Sequence, residues 1–230
     1  MSNFYQLSSN SPFYCAHCIN CRLPEGSCVC SQLQHCDMPF SIIICAHPRE
    51  WQKYDNTGQW AYLSSQNIER IKWHRKVDYI PCPVDLNNLC SEEGNYLLYP
   101  SDDAEIIYLD SNNNGSLSPS IHDNHIKDLN LNPNLNLNLK VIKLWVIDGT
   151  WQESQKMLRQ SPWLNNLPKV KIGTIENQTQ SSQFVLRRNQ KGLSTLEAIS
   201  AIASTQSPKA QAVLDANFHL FQNAILKLIK

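Results

Sequence analysis

The chain has 230 residues, 42% of them hydrophobic, and its 20 Lys/Arg balance 20 Asp/Glu to a formal net charge of zero. That length suits one large domain or a domain with a small module, and no apolar run approaches the roughly 18 residues a membrane helix needs. The balance excludes a uniformly basic nucleic-acid binder, yet the charge is uneven. Residues 140–230 carry twelve Lys/Arg against five Asp/Glu, 41–77 carry six against three, 78–139 one against ten, and 1–40 one against two. Two basic segments therefore flank an acidic middle, and a basic face can meet phosphates.

The first residues, Met1 to Ser11, are polar and lack a basic-then-apolar signal pattern, so a soluble, cytoplasmic protein is the expectation. Nine cysteines could suggest a disulfide scaffold, but the number is odd and five of them fall within Cys15–Cys30. Cys18-Ile-Asn-Cys21 is followed by six residues and then Cys28-Val-Cys30. Two close thiolate pairs around a turn with Pro24 and Gly26 can converge on one tetrahedral ion, and thiolate ligands favour zinc. Cys18, Cys21, Cys28 and Cys30 are the expected ligands of a structural Zn2+. Cys15 and His17 are alternatives that spacing alone leaves open. Residues 1–38 are expected to form this zinc module, and 39–230 the main domain.

Further on, Ile42–Cys45 reads as a buried strand that ends at His47-Pro48. A helix is expected over 57–67, and short strands over Tyr96–Tyr99 and Ile106–Leu109. Residues 111–139 hold nine Asn in 29 positions, with near alternation of Leu and Asn from Leu129. Alternation suits a strand, but Asn does not and the composition is of low complexity, which favours an insertion. From Leu144 to Ile147 a buried strand runs into Asp148-Gly149-Thr150-Trp151, then a helix to about Gln160. A strand near Val170–Ile172, a helix over Ser194–Ser204 and an amphipathic helix over Ala210–Leu228 complete the pattern. Strands alternating with helices indicate an α/β fold with a mainly parallel sheet.

Three stretches hold chemistry besides the cysteines. Asp148 stands where a strand ends and a helix starts, and ligands of open parallel sheets gather outside the carboxyl ends of strands. Asp148 or Thr150 can equally cap the helix, since Thr150 with Glu153 makes a capping box. Trp151 is open between a stacking ring and a core residue. Ile44-Cys45-Ala46-His47-Pro48-Arg49-Glu50, followed by Lys53 and Asn56-Thr57-Gly58, offers a turn histidine and cations for a phosphate or carboxylate. Gln183 to Arg188 and then Leu193-Ser194-Thr195-Leu196-Glu197-Ala198 present two arginines and a helix start able to hold an anion.

These stretches, in this order, resemble the DTW-domain family, with matches over Cys18–Cys30, Ile44–Gly58, Leu98–Ala104, Val146–Met157 and Phe184–Ile202. The family is similar to the tRNA-uridine aminocarboxypropyltransferases known as TapT. The resemblance implies a SPOUT-like, trefoil-knotted cofactor region. It also implies transfer of the 3-amino-3-carboxypropyl group of S-adenosylmethionine to N3 of a uridine in tRNA, with methylthioadenosine released. On that basis Asp148, Thr150 and Trp151 are the expected catalytic residues. Tyr99, Pro100, Ser101, Ile147, Gly149, Leu193, Ser194, Thr195 and Glu197 would line the cofactor pocket. His47, Arg49, Lys53, Arg187 and Arg188 would meet tRNA or the cofactor carboxylate. Neither a membrane nor an obligate protein partner is expected. A SPOUT-type RNA methyltransferase and a non-catalytic zinc-bearing RNA-binding protein are the alternatives.

Overall fold

The run Ile42-Ile43-Ile44-Cys45 is a strand whose alternate side chains enter two different cores. Ile42 and Ile44 pack on one face of the sheet, and Ile43 and Cys45 on the other. A strand turns successive side chains to opposite faces, so only an apolar residue at every position serves a sheet covered on both sides. The computed structural model describes residues 4–5, 17–82, 86, 93–109, 143–174, 182–185 and 192–229. The Asn-rich stretch 111–139, Cys15, Arg187 and Arg188 lie outside the described residues.

The strands are β1 (Phe4–Tyr5), β2 (His17–Cys18), β3 (Ser41–Ala46), β4 (Ile68–Lys72), β5 (Asn95–Leu98), β6 (Glu105–Leu109), β7 (Lys143–Asp148) and β8 (Lys169–Thr174). The helices are α1 (Thr57–Ser64), α2 (Trp151–Gln160), α3 (Pro162–Asn165), α4 (Thr195–Ser204) and α5 (Pro208–Leu228). β1 and β2 make a small antiparallel pair. The other six strands form one sheet in the order β4-β3-β7-β5-β8-β6, with every pairing parallel. The fold is thus mixed α/β. The late strand β7 lies between β3 and β5, and β8 between β5 and β6.

One face of the sheet is covered by α1, α4 and α5. Trp60 of α1 is fully buried there, stacked on Phe221 at 4.8 Å and met edge-on by Phe184 at 5.4 Å. Truncating such a ring to Ala costs about 3–5 kcal/mol. The cysteine-rich segment joins the same core through Cys18, Cys21, Leu23 and Val29. Asn217 of α5 ties the following segment down, accepting from Gln34 N–H at 3.1 Å and donating to Gln34 C=O at 2.8 Å. The opposite face is covered by α2 and α3, through Met157 and Leu164 against Ile43, Leu97 and Trp145.

Two differences from the sequence expectation have clear causes. The helix expected over 57–67 ends at Ser64, because Ser65 is extended (φ −155°, ψ 144°) and leads the chain into β4. β4 escaped notice because Ile-Glu-Arg-Ile-Lys spaces its apolar residues by three. It is an edge strand, where Ile68 and Ile71 are the buried apolar residues. Among the described residues, no helix is long and apolar enough to cross a membrane.

Candidate active site

All six strands point the same way, so their carboxyl ends share one edge of the sheet. Register places Ala46 beside Asp148 and beside Lys72, and Leu98 beside Val146. The residues leaving that edge are His47, Trp73, Tyr99 and Gly149, and the buried carboxylate of Asp148 stands at its centre.

Both carboxylate oxygens of Asp148 are engaged. Oδ2 accepts from Asn56 Nδ2 at 2.9 Å and from Arg70 Nη2 at 3.3 Å, and Oδ1 accepts from Thr195 Oγ1 at 2.9 Å. Asn56 is also the N-cap of α1, its Oδ1 accepting from Gln59 N–H at 2.7 Å. Gly58 explains the third position of Asn56-Thr57-Gly58. A Cβ there would come within 2.7 Å of Asp148 Oδ2, so no side chain fits while the carboxylate stays in place.

Arg70 is the hub around this carboxylate. Besides Asp148, its guanidinium donates to Gln59 Oε1 at 2.6 Å, Asn56 Oδ1 at 3.0 Å, and the carbonyls of Trp51 and Glu50 at 3.3 Å each. It lies over the Trp51 ring at 4.5 Å. Burial pulls the Arg70 pKa down, and the Asp148 carboxylate opposes that pull. Gln59 also donates to the Asn20 carbonyl at 2.8 Å, which links this hub to the loop between Cys18 and Cys21. Arg22, one residue beyond that loop, adopts φ 62° and sits 5.9 Å from the Trp51 ring. Burial and the neighbouring Arg70 lower its pKa to about 10 against the pull of Asp148.

On the α2 side, Thr150 and Glu153 complete the capping box. Thr150 N–H donates to Glu153 Oε2 at 3.0 Å, and Glu153 N–H to Thr150 Oγ1 at 3.4 Å. Burial raises the Glu153 carboxyl, but the Thr150 N–H and hydroxyl, His47 and Lys53 outweigh it and hold the pKa below the ordinary value. His47 Nδ1 is 3.2 Å from Glu153 Oε1 and 3.3 Å from the Arg49 N–H. A protonated Nδ1 pairs with the carboxylate, and a bare one accepts from Arg49. The His47 ring stacks on Trp73 at 6.0 Å. Arg49 is 82% exposed and reaches Glu153 only at 3.8 Å, a pair worth little in water. Lys53 is bound to Glu50, whose other oxygen meets Asn56.

The expected cofactor residues fall around the same edge. Tyr99, which is buried, stacks on Trp151 at 5.6 Å with the planes 9° apart. Trp151 is 55% exposed, which decides between a core ring and a surface ring in favour of the surface. Pro100 is exposed, and Ile147, Gly149 and Leu193 are half-buried. Ser101 Oγ and Ser194 Oγ are buried hydroxyls; Ser101 faces the Asp103 carboxylate, and Ser194 forms a capping box with Glu197 at the start of α4. Glu197 is occupied by the protein itself, accepting from Ser182 Oγ at 2.6 Å, Gln183 N–H at 2.7 Å and Ser194 N–H at 2.8 Å.

The sulfurs of Cys18, Cys21, Cys28 and Cys30 all lie within 4.8 Å of one another, with Cys18–Cys30 at 3.6 Å and Cys21–Cys28 at 3.7 Å. Zn–S bonds of about 2.3 Å in a tetrahedron separate sulfurs by roughly 3.8 Å, so the cluster fits one zinc ion. His17 is exposed and stands outside the cluster, and Cys36 turns to the Ser64 carbonyl at 3.6 Å.

A family model described as the DTW domain matches residues 15–226, nearly the whole chain. The chain belongs to the DTW-domain family. That family is the TapT family, and membership supports a tRNA-modifying role. No solved structure matches the chain. In this DTW-domain protein the Asp-Gly-Thr-Trp stretch is therefore the meeting point of three segments distant in sequence. Asn56 comes from the His-Pro-Arg-Glu region, Thr195 from Leu-Ser-Thr-Leu-Glu-Ala, and Tyr99 from Tyr-Pro-Ser.

Glu50, Asn56 and Gly58 belong to a motif that by itself gives them no individual role, and Arg70, Gln59 and Trp73 lie outside every motif legible in the sequence. The only local sign of Arg70 is a cation between two isoleucines, a pattern common to any edge strand.

Proposed function

We propose that this DTW-domain protein transfers the 3-amino-3-carboxypropyl group of S-adenosylmethionine to N3 of a uridine in tRNA, releasing methylthioadenosine. The observation that carries the proposal is Asp148. Two other segments of the family pattern, through Asn56 and Thr195, converge on this buried carboxylate at the carboxyl edge of a parallel sheet, where such folds bind ligands. The proposal includes a SPOUT-related cofactor region, and the sheet order, with the late strands β7 and β8 between earlier ones, is compatible with it.

S-adenosylmethionine supplies the electrophilic Cγ carbon beside its sulfonium. The residues around the edge suit such a guest, since Ser101 and Ser194 bring buried hydroxyls there, each with one donor and two acceptor sites and so with capacity for a further hydrogen bond. Tyr99, Pro100, Ser101, Ile147, Gly149, Leu193, Ser194 and Thr195 hold and orient it, and Glu197 keeps the α4 start in place. The Trp151 ring, exposed and backed by Tyr99, offers a flat face to the uracil base.

Asp148 acts on the uridine N3–H as orienter and, when one of its present donors yields, as proton acceptor. Its ring of donors favours the orienting part of that role. Thr150 shapes the strand-to-helix turn through Glu153. His47, Arg49 and Lys53 stand beside the site for tRNA phosphates or the cofactor carboxylate; Arg187 and Arg188, to which the same role is proposed, lie outside the described residues. Aligning N3 with Cγ and the sulfonium is the larger part of the task, because good orientation alone lowers such barriers by about 7–11 kcal/mol.

The test is incubation with bulk tRNA and S-adenosylmethionine, followed by mass analysis of the released nucleosides. A uridine carrying the aminocarboxypropyl mass, with methylthioadenosine in the supernatant, is the expected result. A methylated nucleoside would replace the proposal with methyl transfer. Bound tRNA without modification would leave a binding protein.

A further inference from the structure

The loop after β4 is pinned at both ends and exposed between them. Trp73, 6% exposed, stacks on His47 and donates from Nε1 to Ser161 Oγ at 2.8 Å. Ile80, 7% exposed, closes the other end, its N–H donating to the Val77 carbonyl at 2.9 Å. Between them His74, Arg75, Lys76 and Tyr79 are all exposed. Tyr79 is 66% exposed, the most open large hydrophobic side chain among the described residues.

The loop has a definite shape. Lys76 N–H donates to His74 Nδ1 at 3.1 Å, and Tyr79 N–H to the Lys76 carbonyl at 3.2 Å. The His74 ring lies 5.0 Å from the Tyr79 ring, tilted by 52°, and Lys76 Nζ stands 5.8 Å from the Tyr79 centroid. Lys72, Arg75 and Lys76 gather here against a single acidic neighbour within the loop, Asp78. Because β4 runs parallel to β3, the loop leaves from the sheet edge that carries Asp148, and the Trp73–His47 stack lies along that edge.

We propose that His74, Arg75, Lys76 and Tyr79 form a docking face for tRNA, on which Tyr79 stacks against an unpaired base while Arg75 and Lys76 take the flanking phosphates. The inference rests on the reading that the chain acts on tRNA. An aromatic face flanked by cations is the arrangement that recognises unpaired nucleotides, because every base has a π-face and every neighbour a phosphate. An acidic protein partner would be served by the charges alone, which leaves the exposed ring without a purpose.

The experiment is a titration of the full-length protein with bulk tRNA at several salt concentrations. Tyr79→Ala is expected to weaken binding roughly tenfold, the scale of one missing base stack, whereas Tyr79→Phe keeps wild-type affinity. Arg75→Gln with Lys76→Gln is expected to flatten the dependence of log K on log salt by about 0.7 for each phosphate that is no longer neutralised. Lys209→Gln, which removes one positive charge at the exposed start of α5, serves as the control and should match wild type. Thermal melts show that each variant is folded. Wild-type affinity and salt slope in the Tyr79→Ala and Arg75→Gln/Lys76→Gln variants would overturn the docking face and leave the tRNA reading standing. Absence of tRNA binding by the wild-type protein would remove both.

Discussion

Arg70→Leu is the sharpest test of how the Asp148 site is held together. The Arg70 side chain is 2% exposed and makes five hydrogen bonds, one of them to Asp148, whose own side chain is 5% exposed. Leucine fills much of the volume but leaves Asp148 as a buried carboxylate held only by Asn56 and Thr195. It also strands the Gln59 oxygen that Arg70 now satisfies. Removing one partner of a buried pair costs about 3–5 kcal/mol. For a chain of this size that corresponds to a fall in Tm of about 6–20 °C. Arg70→Lys should recover only part of the loss, because one ammonium cannot reach Gln59, Asn56 and Asp148 together as the guanidinium fork does. The assay is reversible denaturant unfolding of wild type, Arg70→Leu, Asp148→Leu and the double variant. The double variant should lose less than the two single losses combined, since each single change leaves the other charge unpaired. If Arg70→Leu costs under about 1 kcal/mol, as an exposed ion pair would, or if the single losses add, the pairing described above does not stabilise the site.

Asp148→Asn keeps the shape and removes the charge. Turnover in the nucleoside assay should fall at least about 100-fold, with a loss of stability smaller than that of Asp148→Leu. Near-wild-type turnover would take Asp148 out of the reaction. Elemental analysis should find about one zinc per chain, as one four-thiolate site requires. Cys21→Ser should lower both metal content and Tm, and a metal-free protein with unchanged Tm would contradict the zinc assignment. Glu153 has a folded pKa below its unfolded one, so its stabilising contribution is present above the ordinary glutamate value and is lost as pH falls through the folded value. Tm of the wild type should therefore decline on acidification more than that of Glu153→Gln, and parallel curves would refute the assignment.

Much of the architecture was legible from local pattern. The apolar runs at 42–45 and 144–147 announced buried strands because a sheet covered on both faces needs apolar residues at every position. Thr150 with Glu153, and Cys18-x-x-Cys21 with Cys28-x-Cys30, were readable because a helix cap and a cysteine cluster able to hold a metal are made by residues close in sequence. The surroundings of Asp148 were of the opposite kind. Its donors Asn56, Arg70 and Thr195 lie 92, 78 and 47 residues away, and no periodicity reaches that far. Motif order could gather Asn56 and Thr195 into one family pattern, but Arg70, on an edge strand with apolar residues three apart, left no trace of its burial. The exposure of Trp151, the blocked space over Gly58 and the link from Asn20 through Gln59 to Arg70 likewise arise only once strands are laid side by side. The sequence alone determined which segments become strands, helices and a thiolate cluster, since those depend on neighbours along the chain. Only the tertiary structure decided what surrounds the Asp148 carboxylate, since parallel packing sets which distant residues share one edge of the sheet.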